Sequence, residues 1–155
     1  MTCRYNVNMI DLNKRSEYLR SIELFYFAYR SFTSRPDEIL EEMGLGRVHH
    51  RILYFIGRNP GTPVHGLLKI LGVTKQALNG PIRQLIGMEL VTAQTATYDR
   101  RIKLLTLTDA GSKLEFQLTG TQIKNLARTF ESVGPEAETG WRKVMEALSK
   151  KEHSK

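Results

Sequence analysis

The chain of 155 residues, 41% hydrophobic with the single cysteine Cys3, has the makings of one cored domain with or without helical extensions, and it excludes an intrachain disulfide. Its longest apolar stretch, at residues 52–56, falls far short of the ~20 residues of a membrane span, and no basic segment leads into an apolar run as in a secretory signal, so a cytoplasmic protein with no membrane partner is expected. The net charge of +7 sits in the middle third, where nine basic residues between Arg47 and Lys103 face only Glu89 and Asp99; this points to a polyanionic partner or to a plain basic surface.

In chain order, residues 1–15 read as a flexible arm. From Ser16 to Phe32, apolar residues recur at Tyr18, Leu19, Ile22, Phe25, Tyr26, Tyr29 and Phe32, the spacing of a helix with a wide aromatic stripe. Ser34 and Pro36 are expected to stop it and to start a short helix ending near Gly44. A further helix is expected from Arg47 to Arg58, closed by the Asn59-Pro60-Gly61 turn. Thr62 reads as a cap and Pro63 as the first position of a short helix to Leu71. Gly72 breaks that helix, and Thr74 caps the next, which runs from Lys75 to about Met88. Leu90 to Ala96 and Ile102 to Leu107 form a hairpin around TYDRR, and Thr108 caps a long helix to about Ser132. Pro135 opens a last helix with Trp141, Val144, Met145 and Leu148 inward, and residues 151–155 read as a disordered tail.

The stretch GLLKILGVTKQALNGPIRQL, residues 66–85, reads as a helix-turn-helix. Leu67, Leu68 and Leu71 bury one side of its first helix; Gly72 permits the sharp turn, and Val73 plugs the corner. Leu78, Ile82 and Leu85 bury one face of the second helix, which leaves Lys75, Gln76, Asn79 and Arg83 on the other. That face suits the major groove, where amides pair with adenine edges and cations meet guanine or phosphate. The helix start at Thr74 can hold a phosphate oxygen. The hairpin that follows turns the pattern into a winged helix with Arg100 and Arg101 at the tip. An arginine there can enter a minor groove, and Asp99 can pair with it and set its direction. Taken alone, the tip is equally well an ordinary solvated hairpin with a local ion pair.

Asp-x-Arg followed by LTLTDAG resembles the wing of the MarR family, the multiple-antibiotic-resistance type of regulator, and the likeness extends over about residues 16–150. The resemblance implies a mainly α fold with a small β-hairpin wing. Residues 16–45 and 109–150 would be dimerisation helices, and 46–108 a winged helix-turn-helix DNA-binding domain. It implies a homodimeric repressor on pseudo-palindromic double-stranded DNA, released by a small phenolic or lipophilic effector or by oxidation. Two departures stand out: Gly80-Pro81 inside the second helix, where a kink is expected, and Gly46 in place of a serine or threonine cap.

Dimerisation also follows from burial, since the aromatic first helix carries more apolar surface than one small domain covers. Tyr26, Tyr29, Arg30 and Tyr54 are candidates for an effector pocket, and equally for packing contacts. No metal site is expected, because His49, His50 and His65 lack a cysteine or acidic partner at ligand spacing. Nothing activates Cys3. The absence of P-loop, HExxH and GxSxG patterns argues against an enzyme, and no cofactor is implied. The rival to the DNA reading is a winged helix whose basic face docks an acidic protein.

Overall fold

The computed structural model describes residues 12–150, so Cys3, most of the arm and the tail 151–155 lie outside the described residues. The elements run α1 (Leu12–Glu42), α2 (Arg47–Arg58), β1 (Thr62–Pro63), α3 (Val64–Leu71), α4 (Lys75–Gly87), β2 (Val91–Thr95), β3 (Lys103–Leu107), α5 (Asp109–Val133) and α6 (Pro135–Ser149). The chain divides into two compact units between Ser34 and Arg35, and α1 runs from the first into the second.

The first unit is the long N-terminal part of α1. Its large apolar side chains between Tyr18 and Tyr29 are exposed, with Ile22 66%, Phe25 54% and Tyr26 58% exposed. Helical order there rests on the backbone ladder, with Ser21 Oγ donating to the Glu17 carbonyl and Thr33 Oγ1 to the Tyr29 carbonyl.

The second unit is built around α2. Ile52, Leu53 and Ile56 are fully buried among Leu40, Leu67, Leu78, Leu85, Leu105 and Leu118, so one helix gathers side chains from α1, α3, α4, β3 and α5. Each such side chain contributes about 1.5–3 kcal/mol through removal from water. The sheet is antiparallel in the order β1-β3-β2, with Val91 opposite Leu107, Thr95 opposite Lys103, and Thr62 opposite Leu105.

Five expectations are corrected. Helix α1 begins at Leu12 rather than Ser16 and continues through Pro36 to Glu42 without a break. The Pro36 ring is fully buried, which offsets part of the ~3 kcal/mol that an interior proline costs. Thr62 is not a helix cap: it is buried and pairs in β1, and α3 starts at Val64 with no side-chain cap. Val73 is 40% exposed and does not plug the corner: the turn is made by Gly72 at φ 64°, and the buried side chains flanking it are Leu67 and Leu78. Trp141, Val144 and Leu148 of α6 are exposed rather than inward, although the Trp141 ring meets Phe130 of α5 edge-on at 5.3 Å.

The junction between the wing and α5 depends on a close approach. Thr108 donates its N–H to the Leu90 carbonyl at 3.1 Å and its hydroxyl to the Glu89 carbonyl at 2.6 Å, and it accepts the Gly111 N–H at 3.0 Å. Glu89 itself sits at φ 57°, an uncommon left-handed conformation for a side-chain-bearing residue. A Cβ on Gly111 would lie 1.9 Å from the Leu90 carbonyl oxygen, so only glycine fits. Gly111→Ala is therefore expected to cost about 1–3 kcal/mol by overpacking, seen as a lower thermal midpoint by circular dichroism. Gly120→Ala, where an added Cβ meets nothing within 4 Å, leaves the midpoint unchanged or higher. An unchanged midpoint in Gly111→Ala would contradict the close approach.

Candidate nucleic-acid interface

Burial of one face decides what α4 presents. Leu78, Ile82 and Leu85 are 1%, 6% and 0% exposed, and at helical spacing this turns Lys75, Gln76, Asn79 and Arg83 outward, all exposed. Thr74 caps the helix, its hydroxyl accepting the Ala77 N–H at 3.3 Å. The remaining N–H groups of the first turn point out along the helix axis with the positive end of its dipole. No acidic residue stands in that turn. The helix continues through Gly80 and Pro81 to Gly87. Proline removes the donor that Ala77's carbonyl would use, and Ala77 is exposed, so water can replace it.

The hairpin presents the second cationic group. Ala96 N–H donates to the Ile102 carbonyl at 2.9 Å and Ile102 N–H to the Asp99 carbonyl at 3.1 Å, closing a tight tip. Within it Asp99 grips Arg101 three times. The Arg101 Nε meets Oδ1 at 3.1 Å, its Nη2 meets Oδ2 at 3.0 Å, and its backbone N–H meets Oδ1 at 2.9 Å. The expected pairing is thus a two-pronged fork that fixes the guanidinium's direction, while the arginine side chain stays 89% exposed. The side-chain bonds, then the backbone bond, hold the Asp99 carboxyl below its usual range, and the pairing raises Arg101. Arg100 and Tyr98 stand exposed beside them, Tyr98 at 72%. Tyr98 escaped the sequence reading, although an exposed aromatic beside two arginines is itself a signal. Lys103, which donates to Thr95 Oγ1 across the strands, adds a further cation to the wing.

The remaining candidates fall elsewhere. Tyr26 lies beside Arg30, whose guanidinium is 5.8 Å from the ring centroid, and Tyr54 beside Arg58 at 5.9 Å. Tyr29 is 39% exposed. A groove of about 600 Å³ exists in the second unit, lined by Arg35, Ile39 and α5 residues including Glu115, Phe116, Thr119 and Lys124; none of the four expected pocket residues lines it. His49 and His50 are both buried, His49 against Gln84 and His50 against Thr119. Burial pushes His50 below the usual histidine value, against the opposing pull of Glu115 and Asp37. Among the described residues no three histidine, cysteine or acidic side chains group as metal ligands, and no helix is long and apolar enough to cross a membrane.

A helix-turn-helix whose second helix turns a basic face outward, followed by a hairpin with a clamped arginine at its tip, defines the winged helix-turn-helix class. The sequence profile of the MarR family matches residues 43–102. The chain is 43% identical over 129 residues to the HTH-type transcriptional regulator PetP of Rhodobacter capsulatus, covering 83% of this chain and 78% of that protein. The chain belongs to the MarR family, a family of transcriptional regulators and not of enzymes.

Solved structures share the fold. AbsC, a MarR family regulator of Streptomyces coelicolor, superposes with a TM-score of 0.74 at 18% identity over 94% of this chain and 98% of that one. A MarR protein of Peptoclostridium difficile gives 0.73 at 22% identity over 97% and 94%. A MepR–DNA complex of S. aureus gives 0.66 at 19% identity over 82% and 93%.

The Asp99 clamp has a titration signature. A carboxylate held below its ordinary value keeps its pairing above the unfolded range and loses it as pH falls through the lowered folded value. In an NMR titration the Asp99 carboxyl midpoint should lie below that of Arg101→Ala, which keeps only the backbone bond. Equal midpoints would mean that the fork does not persist in solution.

Proposed function

We propose that two copies of this chain form a homodimeric repressor that grips a pseudo-palindromic double-stranded operator. In each copy Lys75, Gln76, Asn79 and Arg83 of α4 enter the major groove. Arg101 reaches the adjoining minor groove, and Thr74 and Arg100 meet phosphates. The observation that carries this reading is the simultaneous exposure of the α4 polar face and of an arginine already oriented by Asp99. An oriented arginine loses less rotamer freedom on binding. The MepR complex shows that a protein of this fold is found bound to DNA.

Residues 46–108 act as the DNA-binding part, and residues 16–45 and 109–150 as the dimerisation helices, in a cytoplasmic protein. Support comes from the unburied aromatics of α1 and the exposed Trp141, Val144 and Leu148 of α6, a larger apolar surface than a lone chain of this size carries in water. Release by a small effector rests on the family resemblance. Tyr26, Tyr29, Arg30 and Tyr54 remain candidates for its contacts, and the groove along α5 offers a second place for it.

Selection of duplexes from a random pool should return a palindrome with half-sites about one helical turn apart. Affinity for it should fall with salt at a log–log slope near −0.9 per phosphate contact. Failure to enrich any duplex would favour an acidic protein as the partner. On the selected site, Arg101→Ala should weaken binding by about 1–3 kcal/mol with the dimer intact.

Lys75→Ala should lower the salt slope by about one. Gln76→Ala and Asn79→Ala should each relax the consensus at particular base pairs, read by repeating the selection with each variant. An identical consensus for both would remove α4 amides from base reading.

A further inference from the structure

The two buried histidines of α2 found no place in the DNA-binding face, and one of them touches the helix that carries it. His49 stands at the third position of α2 and is 7% exposed. Its Nδ1 accepts the N–H of Gly46 at 2.9 Å, its Nε2 meets Gln84 Oε1 at 2.9 Å, and Gln84 Nε2 donates to the carbonyl of Gly44 at 3.2 Å.

The direction of this chain is forced. It begins at a backbone N–H, which can only donate, and ends at a backbone carbonyl, which can only accept. Within the relay His49 therefore accepts at Nδ1 and donates from Nε2, and the Gln84 amide presents oxygen to His49 and nitrogen to Gly44. Gly44 and Gly46 belong to the turn between α1 and α2, where Gly44 N–H donates to the Glu41 carbonyl and Leu45 N–H to the Leu40 carbonyl. Gln84 directly follows Arg83 on α4 and lies off its DNA-facing side. The relay thus bolts the C-terminal part of α4 to the α1–α2 turn.

We propose that His49 and Gln84 are positioning residues that set the rotation of α4 about its own axis and so the aim of its base-reading side chains. Hydrophobic burial of Leu78, Ile82 and Leu85 holds α4 down, but apolar contact is non-directional. A rotation of ~20° carries a side-chain tip ~5–6 Å from the axis through about 2 Å. That displacement is enough to break a base-edge hydrogen bond, whose length spans only a few tenths of an ångström. Contacts to phosphate, carried by long cations, tolerate it.

The inference rests on the DNA-binding reading, and the experiment separates the two. Wild type, Gln84→Met, His49→Leu and His49→Gln are compared on the duplex that wild type selects and on a random duplex of equal length. Gln84→Met keeps side-chain length and removes both bonds. His49→Gln is the conservative replacement, because a glutamine at the third helical position can accept the N-cap N–H and pass its amide on to Gln84. Gln84→Met and His49→Leu should lower the ratio of specific to random-duplex affinity about tenfold. Random-duplex affinity should stay within about twofold, and His49→Gln should restore most of the ratio.

A wild-type ratio in Gln84→Met overturns the proposal, and so does a His49→Gln variant no better than a folded His49→Leu. Gln84 is exposed, so its variant keeps the test decisive should His49→Leu fail to fold. Nitrogen NMR of the imidazole should show Nδ1 unprotonated and Nε2 protonated at neutral pH; the opposite tautomer also overturns it. If wild type selects no duplex, it is the DNA reading that fails.

Discussion

The structure depends on the burial of the α2 side chains Ile52, Leu53 and Ile56. They are the common floor on which α3, α4, β3 and α5 rest, and each neighbour can satisfy that floor with one face only. For α4 the consequence is direct. Once Leu78, Ile82 and Leu85 are committed inward, Lys75, Gln76, Asn79 and Arg83 have nowhere to go but outward. The exposed polar face is the remainder after core formation, displayed by a helix whose position the core holds.

Polar contacts supply what the core cannot. The Asp99–Arg101 fork, the Thr74 and Thr108 caps and the His49–Gln84 relay each use a directional bond to orient a group that burial alone would leave free to turn. None of them rivals the core in stabilising energy. Their contribution is to narrow a distribution of orientations.

Much of this was legible in the residues because the chemistry is local. Thr74 and Thr108 cap where a hydroxyl before an apolar-periodic run should, Gly72 takes the left-handed turn, and Asp99 reaches Arg101 only two positions away. What escaped is non-local. Strand β1 is two residues long, one of them proline, and exists only because Leu104 and Leu105 lie alongside it. Pro36 reads as a helix stop until its burial is seen. The partner of His49 is 35 positions away, so a capping role usually filled by glutamate or glutamine stayed hidden behind a histidine. The groove along α5 joins residues some eighty positions apart, and no spacing rule reaches that far.

The stitching at the foot of the wing carries a consequence of its own. Leu90 and Glu89, at the start of the outgoing strand, are fastened to Thr108, at the end of the returning one, and Gly111 lets α5 press against the same carbonyl. A hairpin clamped at both feet has no hinge on which to fold back. Any displacement of the start of α5 therefore carries the root of the finger with it.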